Sequence, residues 1–335
     1  MTATATATAT ATKAVRGSDA RLVRGVVETA FLKEGTKAQY LASLAKAAEV
    51  YGGPRGRPAR YAAILSDPVG FADRLVDYGA RRGLGDHSLD ALMAAVMSLW
   101  NYNQDLRERH AATYREWQEQ KRRVFAPIAQ KYRSNEPTDR QREAYVSFER
   151  LCEVRDALPD GSDARLLLHM YTDLPPVRGD YYCTRIYDTP PRETDECGNY
   201  LVLPRGPRGR ATVVLQEYKT SKRYNRIELP VPDATAAQIR ASLAARPRDH
   251  LFVSPRTGAG FAQRGSFGRW ANHLLRHVTG NPRVTLTTLR HVYISRRDLA
   301  LHMQSGVEQE RVARAMGHSV GMQRGYSWHA WRPEP

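Results

Sequence analysis

What most constrains this chain is a change of texture partway along it. From residue 22 to about residue 133 the pattern is helical: Ala-rich apolar stretches such as 38–50 and 89–100 recur, separated by polar turns at 52–58 and 82–86. Within 89–100, Leu92, Val96 and Trp100 share one face, and Ser88 stands where a cap is expected. The run Ser134-Asn135-Glu136-Pro137-Thr138 breaks the pattern. Thr138 then opens a helix predicted to reach about residue 158, and 164–172 reads as a buried helix stopped by Pro175-Pro176. Beyond it, 185–188, 211–218 and 226–231 are rich in Val, Ile, Leu and Tyr and read as strands, the last two joined by a turn at 219–225. Helical spacing returns at 236–245, 266–278, 286–301 and 308–316. Such a chain is expected to be α+β and mostly helical: a helical domain over 20–136, then a domain over 137–335 in which helices surround a small three-stranded antiparallel sheet. Its 335 residues also favour two domains over one.

Residues 2–12 alternate Thr and Ala, and 1–19 as a whole reads as a disordered leader. It has no apolar core, so it is not a secretory signal; the lack of any acidic residue before Asp19 leaves an organellar transit peptide open. The longest apolar run, 91–100, is far short of the roughly 20 residues that span a bilayer, so no membrane partner is expected. Cys152, Cys183 and Cys197 are odd in number and follow no zinc spacing, which suits a reducing, intracellular compartment. No metal-binding cluster and no phosphate-binding glycine loop is visible, so neither metal nor other cofactor is expected. The charge points to a partner: 51 Lys and Arg against 35 Asp and Glu, a net of +16. Before residue 137 there are 21 basic and 14 acidic residues, and from there on 30 and 21. An excess spread over both halves, rather than gathered in a tail, suits a long polyanion and nucleic acid foremost; a generally basic, Arg-rich composition is the plainer alternative.

Five polar positions stand out in the second half. Arg178 follows the Pro-Pro break, Lys219 opens the turn between two strands, Arg290 lies in Leu289-Arg290-His291, His318 in Met316-Gly317-His318-Ser319, and Tyr326 in Gly325-Tyr326-Ser327-Trp328. In that order, over roughly residues 140–330, they resemble the signature of the tyrosine recombinase and integrase family. The Leu174-Pro175-Pro176-Val177-Arg178 run is most similar to recombinases of large DNA viruses and related mobile elements. The resemblance implies a helical core-binding domain followed by a catalytic domain, a double-stranded DNA partner, a homotetramer on paired sites, and a DNA-associated location, nuclear in a eukaryotic host. It further implies Tyr326 as the nucleophile that becomes a 3′-phosphotyrosine.

The chemistry asks for these residue types. Attack on a phosphodiester builds charge on the non-bridging oxygens, which Arg178 and Arg290 can clamp with bidentate hydrogen bonds and His318 can reach with another. The leaving 5′-oxygen needs a proton, for which Lys219 suits because it begins the turn; Lys222, the second lysine there, is the alternative for that role or a phosphate-orienting residue. A covalent phosphotyrosine conserves the bond energy, so the reaction requires neither ATP nor metal. Three departures stand against the family pattern. Thr287 replaces the first His of His-x-x-Arg, so no general base is evident, although 287 and 290 share a helix face. His291 adjoins Arg290 but points elsewhere. Asp180 lies two residues after Arg178, where the family places an acid at three, and remains a candidate to orient that arginine. The polar insert 190–199 lengthens the interval to Lys219 and is expected to be a loop between strands. A type IB topoisomerase or telomere resolvase would use the same chemistry, and a catalytically inactive DNA-binding relative would suit Thr287.

Overall fold

The computed structural model describes residues 18–30, 32–52, 58–134, 136–192, 198–206, 209–296 and 305–328. The Thr/Ala leader up to residue 17, part of the first polar turn and of the polar insert, and Cys197, Arg297 and Trp331 lie outside the described residues. The chain forms two compact units that divide between Lys131 and Tyr132.

The first unit is helical: α1 (Ser18–Glu28), α2 (Glu34–Tyr51), α3 (Tyr61–Leu65), α4 (Pro68–Arg82), α5 (Asp86–Asn101), α6 (Gln104–Arg109) and α7 (Ala111–Ser134). Ser18 and Asp19, expected in the leader, already belong to α1. The helices form because their apolar residues fall on one side. α2 buries Leu41, Leu44, Ala47 and Ala48, and the small alanines let α5 pack closely with Met93, Val96 and Trp100. α5 starts two residues before Ser88, and its N-terminus has no side-chain cap. α4 has both end signals: Asp67 accepts from the Gly70 N–H with Pro68 at the first position, and Gly83 closes it with left-handed backbone. Trp117 of α7 is fully buried, sets its ring at a 47° tilt 5.4 Å from Phe71 and donates its indole N–H to the Leu65 carbonyl at 3.0 Å.

In the second unit, the single helix predicted from Thr138 to about residue 158 is two: α8 (Asp139–Glu143) and α9 (Phe148–Ala157). Each has its own cap, a Thr138–Gln141 capping box and Ser147, so 144–147 is a turn. α10 (Asp163–Thr172), capped by Ser162, is buried through almost its whole length and packs against α9 and α12 (Asp233–Ala245). It also touches α13 (Arg264–Thr279) and α14 (Leu286–Ser295), and so forms the axis of the unit. α15 (Gly306–Ala315) and α16 (Val320–Arg324) follow. The helix predicted over 286–301 stops at Ser295, where Arg296 turns to extended backbone and its guanidinium lies over the rings of Phe148 and Tyr293.

The sheet differs from the three-stranded antiparallel expectation. It has four strands, β1 (Arg185–Tyr187), β2 (Tyr200–Val202), β3 (Thr212–Leu215) and β4 (Ile227–Pro230), in that spatial order. β1 pairs with β2 in parallel, and β2–β3 and β3–β4 are antiparallel. β2 has only three residues and follows directly on the polar insert, so no alternation marks it in the sequence. β3 ends at Leu215, and the connection to β4 contains a single helical turn, α11 (Ser221–Tyr224). No helix among the described residues is long and apolar enough to cross a membrane.

Candidate active site

Pro175-Pro176 ends the α10 segment and leads the chain to Arg178. Gly179 has φ +117°, which a side chain would resist, and the turn it makes brings the Asp180 carboxylate back under the Arg178 N–H at 3.2 Å. The other Asp180 oxygen pairs with Arg264 of α13 at 2.7 Å. Asp180 is buried, and that burial pushes its carboxyl above the ordinary range against the pull of Arg264. Asp180 therefore fixes the main chain of Arg178 and leaves the guanidinium free.

Arg290 is the most buried charge of the site, with 0% exposure. Carbonyls and one imidazole hold it: Nη1 donates to Pro176 O at 2.5 Å, and Nη2 to Met316 O at 3.4 Å and to His318 Nδ1 at 2.8 Å. Neither Arg290 nor Arg178 forms an ion pair among the described residues. Because a guanidinium can only donate, His318 Nδ1 is unprotonated and Nε2 carries the ring hydrogen. Burial, reinforced by Arg290 and Arg178, pushes His318 down to about 3, so the ring is neutral at physiological pH. Its Nε2 is buried and faces the side chain of Gln323.

After α15, Gly317 adopts left-handed backbone (φ +66°), and Ser319 caps the short α16, which ends at Arg324 just before Tyr326. The phenol oxygen of Tyr326 accepts from Arg178 Nη2 at 3.2 Å. The Arg290 guanidinium lies 5.0 Å over its ring, and the His318 ring stacks on it at 5.5 Å and 12°. Burial pushes the phenol up, but Arg290 and Arg178 together outweigh it and hold Tyr326 below the ordinary phenol range.

His291 grips the same segment from the other side of α14. The Tyr326 carbonyl can only accept, so His291 donates to it from Nδ1 at 3.0 Å and accepts from the Gln141 amide at Nε2, 3.4 Å away. Its ring stacks flat on Trp328 at 4.3 Å and 9°, and burial pushes it down to about 4. Of the sequence-predicted residues, Arg178, Arg290, His318 and Tyr326 thus meet directly, with Asp180 and His291 behind them.

Lys219, Lys222 and Thr287 are exposed and make no hydrogen bond or ion pair among the described residues. Thr287 is the second residue of α14, beside the Thr285–Thr288 capping box. Lys219 nevertheless sits in an anchored loop: Thr220 Oγ1 donates to Gly317 O at 2.6 Å, the Tyr218 ring packs on Gly317, and Tyr218 Oη donates to Asn225 O at 2.6 Å. Sequence reasoning passed over Arg264, Gln141 and Asn199; only Asn199, the last polar residue before an apolar triplet, had any local signal.

No protein-family model and no curated protein matches this chain. Among solved structures it is similar to the crystal structure of XerA recombinase, with 13% sequence identity and a TM-score of 0.39, over 92% of this chain and 93% of that one.

Proposed function

We propose that this chain cleaves and rejoins double-stranded DNA through a covalent 3′-phosphotyrosine on Tyr326, as a site-specific recombinase. The observation that carries the reading is that two guanidiniums, without carboxylate partners among the described residues, converge on one half-buried phenol. Such a pair lowers the cost of a phenolate and is complementary to a phosphate arriving at the same place. In the step proposed, the Tyr326 oxygen attacks phosphorus, the P–O3′ bond is kept, and the P–O5′ bond breaks. Arg178 and Arg290 bear the non-bridging oxygens, and the neutral His318 donates from Nε2. The phenolic proton leaves to solvent, Lys219 protonates O5′ as it departs, and solvent restores Lys219. With both cations at the phenol, the base that Thr287 cannot supply is needed less. The 20–136 segment is assigned to DNA binding, 137–335 to catalysis, and four copies to each pair of sites.

The test uses a pool of randomised duplexes, each nicked so that the released strand end diffuses away. The expected result is a denaturant-resistant protein–DNA adduct, absent in Tyr326→Phe. Recovery of bound duplexes without any adduct would refute the reading and leave a DNA-binding protein.

A further inference from the structure

The Lys219 loop is held from two sides, and one of its holders is a residue of the polar insert. Asn199 is 1% exposed, yet its amide is fully satisfied. Its Nδ2 donates to Asp180 O at 2.8 Å and to Glu217 O at 3.0 Å. Its Oδ1 accepts from the main-chain N–H groups of Gln216 at 2.9 Å and Glu217 at 2.8 Å. Only an amide offers two donors and two acceptor sites: Asp at this length lacks the donors, and Gln reaches one methylene too far. Four satisfied bonds in a buried place make a demanding and rigid junction.

What Asn199 joins is informative. At one end is residue 180, whose carboxylate holds the Arg178 N–H. At the other end is the start of the loop, two residues before Lys219. One residue after Lys219, Thr220 is bonded to the carbonyl of Gly317, which adjoins His318. The lysine backbone is thereby referenced on one side to the segment carrying Arg178 and on the other to the turn carrying His318.

We propose that Asn199 is a positioning residue for Lys219, and that with Thr220 it sets the lysine over the leaving oxygen of the phosphate gripped by Arg178 and His318. This rests on the function proposed above, with Lys219 as proton donor. It also gives the insert a role: its last residue closes the junction before β2 begins.

The experiment compares cleavage of an ordinary phosphodiester with that of the same duplex carrying sulfur at the bridging 5′ position. A thiolate leaves without a proton, so the sulfur substrate does not need the donor. On the ordinary substrate, Lys219→Ala is expected to slow cleavage by about 10²–10⁴-fold and Asn199→Asp by about 10–100-fold, whereas on the sulfur substrate both fall within about threefold of wild type. Asn199→Asp keeps the acceptor bonds and loses the donors. Thr220→Val, which deletes a single hydroxyl, repeats the test at the other anchor should Asn199→Asp weaken the fold, and the same selective loss is expected. Rescue of Lys219→Ala by sulfur without rescue of Asn199→Asp and Thr220→Val would overturn the positioning role alone. Failure of sulfur to rescue Lys219→Ala would overturn Lys219 as proton donor and the Asn199 proposal with it, while the Tyr326 adduct still stands.

Discussion

Replacing Arg178 with Ala removes the one hydrogen bond that the Tyr326 hydroxyl receives from Arg178, a contact of 3.2 Å from a charged donor. In the reacting complex the same guanidinium also binds the phosphate. Hydrogen bonds to charged groups contribute about 1.5–3 kcal/mol each, so two of them amount to about 3–6 kcal/mol, or about 10²–10⁴ in rate. The loss also carries a pH signature. Arg178 is one of the two cations that outweigh burial and hold the phenol down. Without it the phenol rises, and the rate of adduct formation must climb further with pH before it levels off. Arg178→Lys keeps the charge and loses the planar fork, so it should restore the pH profile more fully than the rate. Single-turnover adduct formation on nicked duplex, followed from about pH 6 to about pH 10 to span the phenol range, measures both quantities. A loss below about fivefold, which is about 1 kcal/mol, or a profile that stays put, would show that Arg178 does not act on Tyr326.

His291 and His318 are both buried and pushed down, to about 4 and about 3, against about 6.5 for an unfolded histidine. The unfolded chain therefore takes up protons that the folded one refuses, and stability present above about pH 6.5 is lost as pH falls toward about 4, at up to about 1.4 kcal/mol per pH unit for each ring. Thermal melting across that window should show the slope, and His291→Gln should reduce it; an unchanged slope would mean that the ring is not buried neutral. Gly317→Ala forces a side chain into left-handed backbone and places a methyl 3.1 Å from the Tyr218 ring. It should cost about 1–2 kcal/mol in melting experiments and slow cleavage more than that loss explains, because both the His318 turn and the Lys219 loop shift. Trp117→Ala empties the centre of the first unit and strips the Leu65 carbonyl of its donor. About 3–5 kcal/mol of that unit's stability should be lost by denaturant titration, with adduct chemistry on short nicked duplexes less affected than DNA affinity.

The helices were largely legible because apolar periodicity marks their buried faces and, in some, end signals mark their limits, as in α4 with Asp67, Pro68 and Gly83. What escaped was set by tertiary pairing. β2 has three residues and exists because Tyr200–Val202 finds β1 on one side and β3 on the other. The turn at 144–147 is hard to see in the sequence because Thr138 and Ser147 are both good caps within one helical stretch. In the site, Arg178, Arg290, His318 and Tyr326 stood out by residue type and order, but the sequence contains no trace of which nitrogen of His318 bears the proton. That follows from a 2.8 Å contact with a residue 28 positions away. Nor does it show that His291 turns its ring to the Tyr326 carbonyl, or that Asp180 serves the main-chain N–H of Arg178 rather than its guanidinium. Asn199 was hidden for the same reason: its four bonds join main-chain groups that come together only in the fold.

That no carboxylate forms an ion pair with Arg178 or Arg290 among the described residues has a consequence for the molecule at rest. Two like charges held near one another, one of them with no access to water, oppose the folded state, and Asp180 relieves them only at a distance while it pairs with Arg264. Any tetrahedral oxyanion that settles between them removes this opposition and adds RT ln(1 + [L]/Kd) to the stability of the fold. Folding and occupancy of the site are then one linked equilibrium. Inorganic phosphate, sulfate or vanadate should raise the melting temperature in proportion to the logarithm of concentration, and Arg178→Ala should flatten that line. A chain of this kind would be at its least stable when searching and at its most stable once seated on a phosphate.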